Sequence, residues 1–68
     1  MNVITKLGGI PKVYKILEKQ GWNYSISALR MQISRGSLSR DVCVILADFM
    51  NKNKISYTAD DFYLEHKQ

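Results

Sequence analysis

Glycine stands at four positions, as the pair 8–9 and singly at 21 and 36, and each of these three stops closes an apolar pattern of helical period. Ile4 and Leu7 lead up to Gly8-Gly9. Ile10, Val13, Tyr14 and Leu17, at i, i+3, i+4 and i+7, lead up to Gly21. Ile26, Leu29 and Ile33 lead up to Gly36. A glycine pair is unfavourable inside a helix, and a glycine just past the last turn is a common stop. The first 36 residues therefore read as three short helices. The start signals agree: Asn2 is a cap for the first, Pro11 suits the first turn of the second, and Ser25 or Tyr24-Ser25 caps the third. The segment Trp22-Asn23-Tyr24-Ser25 reads as a turn whose Trp22 and Tyr24 cover the core.

A fourth helix begins after Ser37 or Ser39, with Asp41 in its positive first turn. Val42, Ile45, Leu46 and Phe49 form its inner stripe, and Cys43, Val44, Ala47 and Met50 carry apolar character around the rest. A helix apolar on nearly all sides is either central or shared with a second subunit. The run 51–54, NKNK, closes it. Ile55-Ser56-Tyr57 reads as a short extended piece, and Thr58 with Asp61 reads as a capping box for a last turn through Phe62. With 68 residues and 46% apolar composition, the chain builds one small core in one domain, 1–68. The expected fold class is all-α, four to five helices, with at most one short C-terminal strand.

Charge is distributed unevenly. Residues 1–40 carry seven Lys/Arg and one acid, Glu18, for a net +6, whereas residues 41–68 carry three Lys and five acids, for a net −2. No acid lies between Lys19 and Arg40, and all three arginines fall in that window. A basic half beside a mildly acidic half suggests one surface that faces a polyanion and another that faces elsewhere.

Other functions find little support. Cys43 and His66 are each alone, which argues against a disulfide, a zinc site or a Cys/His catalytic pair. Asp60 and Asp61 adjoin at an expected helix start, where the dipole favours acids without any catalytic role. No apolar run approaches the ~18 residues of a membrane span, and Met1–Lys6 lacks the pattern of a secretory signal. The expectation is a cytoplasmic, non-enzymatic protein without metal, cofactor or membrane partner.

The order of elements is that of a helix-turn-helix, whose second helix enters the DNA major groove while the first braces it. A groove-reading face favours small residues and donors and excludes acids, because phosphates line the groove. The 25–35 helix meets this: away from Ile26, Leu29 and Ile33 it carries Ser27, Ala28, Met31, Ser34 and Arg35, with Arg30 at the border.

The chain also resembles the small Cro-like, lambda-repressor-type helix-turn-helix proteins of phages and prophages. The resemblance covers about residues 4–62. It rests on "KLGG" before an amphipathic helix, on "SISALRMQISRGSLSRDVCVILADF", and on "ISYTADDF". Within these lie Gly8-Gly9, Ser25, Arg35-Gly36, Leu38 and the Thr58-to-Phe62 stretch. Ser39 stands where the family often has Pro, and the interval from Gly9 to Arg35 is longer than the usual form, around "EKQGWNY".

The resemblance implies a DNA-binding transcriptional regulator, a repressor that binds a pseudo-palindromic operator as a homodimer, in a bacterial or phage-infected cell. Matched back from Arg35-Gly36, Ser25 caps the recognition helix and Ser27, Arg30, Met31 and Ser34 face bases. Lys12, Lys15, Ser25, Arg35 and Arg40 then meet phosphates. The region 42–64 is the expected dimerisation surface, through Val44, Met50, Ile55 and Tyr57. The alternative is a protein-interaction module on the same scaffold, since fold does not fix function.

Overall fold

A computed structural model describes residues 2–64, so His66 lies outside the described residues. Four α-helices follow one another: α1 (Val3–Lys6), α2 (Ile10–Lys19), α3 (Ile26–Arg35) and α4 (Arg40–Lys52), then a single 3₁₀ turn at Ala59–Phe62. The fold is all-α. α2 is the centre, packing against α1, α3 and α4. The core draws Val3, Ile4 and Leu7 from α1 and its end, Val13 and Leu17 from α2, and Leu29 from α3. Trp22 comes from the turn, Val42, Leu46 and Met50 from α4, and Leu64 from the C-terminal segment.

The helix starts follow their caps. Asn2 Oδ1 accepts from the Thr5 N–H at 3.0 Å, and Ser25 Oγ accepts from the Ala28 N–H at 3.2 Å. Ser39 occupies the cap position of α4, but its side chain makes no cap bond. Instead the Ser39 N–H donates to Gln32 Oε1 of α3 at 2.7 Å.

All four helices end alike. A backbone N–H reaches back five residues: Gly9 to the Ile4 carbonyl (2.9 Å), Trp22 to Leu17 (3.0 Å), Ser37 to Gln32 (3.1 Å) and Ile55 to Met50 (2.8 Å). This bond needs a residue of positive φ just before the donor. Glycine supplies it three times, as at Gly36 (φ 76°), and Lys54 supplies it once (φ 56°).

Three expectations need correction. Ile55–Tyr57 forms no strand: a strand needs a ladder partner, and among the described residues there is no second strand. The Ile55 N–H is spent on the end of α4, and the Ser56 carbonyl accepts from Lys6 Nζ at 2.8 Å. Met50 is fully buried. The α4 arc that turns inward extends past Phe49 to Met50, so Met50 belongs to the monomer's own core and offers no dimer surface in this fold. Tyr24 covers no core either. It is 61% exposed and lies on Trp22, ring centroids 5.2 Å apart.

The C-terminal segment is fastened to α1 by Lys6. Its ammonium lies 2.8 Å from Asp61 Oδ2, which also accepts from the Thr58 N–H at 2.9 Å and completes a capping box. The Lys6 hydrogen bond, then the Thr58 N–H, hold the Asp61 carboxyl below its ordinary value.

Candidate nucleic-acid interface

α3 is fixed along one side and free along the other. Leu29 is fully buried and Ile33 packs against the core, half-buried. Across the helix Ser27, Arg30, Met31, Ser34 and Arg35 are all exposed. The four residues expected to face bases therefore share one solvent-facing surface. Met31 leaves a large apolar side chain in water, 54% exposed. A buried position would have accounted for it as packing; an exposed one leaves it available to an apolar group such as a thymine methyl.

Two side chains absent from the expected set hold α3 in place. Gln32, through Ser39, ties the end of α3 to the start of α4. Tyr14 of α2 donates its hydroxyl to the Tyr24 carbonyl at 3.1 Å and meets the Trp22 ring edge-on, with centroids 6.3 Å apart. The longer turn around "EKQGWNY" is thus a packed aromatic corner rather than a loose loop. Tyr14 stood out in the sequence only as a member of the α2 stripe, and no spacing rule marks Gln32.

No residue of α3 is acidic. A depression of 390 Å³ runs along its α4 side, lined by Tyr24, Met31, Arg35 and Asp41 among others. Asp41 is exposed in the first turn of α4, where the helix dipole favours its charge. The carboxylate marks that edge as the less favourable place for a phosphate.

Of the residues expected at phosphates, Lys15, Ser25, Arg35 and Arg40 are exposed. Arg35 lies beside Met31, and Arg40 lines an adjoining depression with Tyr24 and Val44. Lys12 is exposed too, but it lines a third depression with Leu7, Ile16 and Phe49, to which α3 contributes nothing. The expected dimer residues are likewise spread out. Val44 is 58% exposed beside Arg40, Ile55 lines the Lys12 depression, and Tyr57 is half-buried with its ring edge-on to Phe62 at 5.8 Å.

The remaining chemistry is sparse. Cys43 is half-buried, with Sγ 4.0 Å from the Leu38 carbonyl, and burial pushes its thiol up. Among the described residues, no group of three His, Cys, Asp or Glu is placed to hold a metal ion, and no helix is long and apolar enough to cross a membrane.

No protein-family model, curated protein or solved structure matches the chain.

Proposed function

We propose that the protein is a sequence-specific double-stranded DNA-binding regulator, a repressor of Cro-like type, that acts by binding and without a chemical step. One observation carries the reading: α3 presents an exposed, acid-free arc of Ser27, Arg30, Met31, Ser34 and Arg35 from a helix capped at its start and tied at both ends to its neighbours. A groove-entering helix requires this combination of small residues, donors and rigid support.

Arg30 takes the base-reading role, with two donors for a guanine O6/N7 edge, and Met31 meets a thymine methyl. Ser27 and Ser34 keep the approach close. Lys15, Ser25, Arg35 and Arg40 neutralise phosphates. One such helix reads few bases, so the protein binds as a homodimer on two half-sites about one helical turn apart.

The test is selection from a random duplex-DNA pool at near-physiological salt. An enriched pseudo-palindrome supports the proposal. Retention without enrichment reduces it to a basic surface with non-specific affinity, and no retention at all overturns it. A second reading, a protein-interaction module on this scaffold, draws on the exposed Tyr24, Met31 and Val44. It requires a partner that still binds when Arg30 and Lys15 are neutralised.

A further inference from the structure

We infer that the groove between α1, α2 and the end of α4 binds a free anionic amphiphile, a single alkyl chain that ends in a carboxylate or phosphate headgroup. The inference stands apart from the regulator proposed above, because α3 contributes no residue to this groove.

The apolar part of the site is unfinished core. Val13 and Leu17 of α2 and Leu46 and Met50 of α4 are closed off completely, but Ile16, Phe49 and Ile55 on the same side are only half-buried. With Leu7 they line a groove of 420 Å³. Sites for small organic ligands span about 300–1,000 Å³. The side chains between the rims are hydrocarbon, so nothing inside the slot selects a polar metabolite. A flexible alkyl chain laid there would complete the burial that the fold leaves open.

The rim chooses the sign of the headgroup. Its charged residues are Lys6, Lys12 and Lys19, and no acid joins them in the lining. The Lys6 ammonium is already spent on Asp61 and on the Ser56 carbonyl. Lys12 and Lys19 are exposed, and neither makes an ion pair among the described residues. They stand seven residues apart on α2, about 10 Å along its axis, with Ile16 between them. Each end of the slot therefore offers a cation.

Lys12 is also held in place. Its stem lies so close to the backbone of Gly8 that a Cβ there would stand 2.7 Å from Lys12 Cδ. Glycine at that position lets the lysine pack flat at the groove's edge instead of sweeping through solvent. An apolar slot with unmatched ammonium groups at its ends fits a tail with an anionic head and repels a cationic one.

The experiment titrates the full, DNA-free chain with dodecanoate and with dodecyl phosphate, each below its micelle concentration. Calorimetry should show saturable one-to-one binding of at least one of them, and the melting temperature should rise with ligand concentration. Amide shifts in NMR spectra should centre on Leu7, Ile16, Phe49 and Ile55 and leave Ser27 to Ser34 unmoved. Lys12→Glu with Lys19→Glu should weaken binding at least about tenfold, as loss of charge-assisted hydrogen bonds does. Lys12→Arg with Lys19→Arg should retain it. Circular dichroism checks that each variant keeps its helices. Absence of saturable binding by both amphiphiles overturns the inference. So does equal binding of dodecyltrimethylammonium, a shift pattern centred on α3, or affinity only for anionic vesicles. Because DNA is absent throughout, a failed operator selection beside an occupied groove removes only the regulator reading, and an enriched operator beside an empty groove removes only this one.

Discussion

Lys54 carries a side chain where the backbone turns left-handed, the only such non-glycine position among the described residues. An L-residue there is strained by roughly 1–2 kcal/mol, and the Lys54 side chain is exposed. Lys54→Gly should therefore raise stability by about 1 kcal/mol once the entropy of glycine is set against the relief. Thermal melts would show it as a rise of about 4–8 °C for a domain of this size. The two serines that begin α3 and α4 offer a sharper contrast. Ser25→Ala removes a cap bond and should cost about 1 kcal/mol, whereas the Ser39 hydroxyl makes no cap bond and Ser39→Ala should change stability by less than about 0.5 kcal/mol. Denaturant midpoints of the two variants decide it; equal losses would mean that Ser39 caps α4 after all. The backbone of Ser39, not its side chain, does the joining, and proline could not take its place, having no N–H to offer Gln32.

At the scale of elements, the glycines and caps made α3 legible to its ends, because local chemistry decides them: Ser25 at one end and Gly36 at the other. α2 was equally readable from Pro11 to Gly21. What local pattern misses is what depends on a distant partner. Ile55–Tyr57 has the composition of a strand but nothing to pair with. Met50 lies one position beyond the stripe counted on α4, and its burial follows from how much of α4 its neighbours enclose. Tyr24 counted as core by its chemistry, yet Trp22 already fills that corner. For the interface, exposure of Ser27, Arg30, Met31 and Ser34 followed from the stripe opposite them, while Gln32 and Tyr14, which steady the helix, act through contacts that spacing does not reveal. The roles proposed for Arg30 of α3 and Lys15 of α2 separate by substitution. Arg30→Ala should lower preference at one base position by about 1–3 kcal/mol. Lys15→Ala should weaken all duplexes alike and reduce the slope of log K against log salt by about 1. Binding titrations on matched and mismatched duplexes at several salt concentrations distinguish the two.

Across the whole molecule, the Lys6–Asp61 clamp joins the first helix to the last turn, so its loss bears on the entire fold rather than on one element. The Asp61 carboxyl titrates below its ordinary value. Its contribution is therefore fully present above the unfolded carboxylate value and fades as pH falls through the lower, folded value. Urea midpoints followed from neutral pH into acid should drop across that window, and Asp61→Asn should flatten the drop; an unchanged slope would mean that other carboxylates govern acid sensitivity. Trp22 is the chain's single tryptophan, nearly enclosed at the corner where α2 meets α3 and flanked by Tyr14 and Tyr24. The molecule thus holds its own fluorophore at the joint between α2 and α3. Its emission colour, and the energy it collects from the two tyrosines, register the posture of that joint without any label, so a ligand that reshapes the corner announces itself optically even when total helicity stays constant.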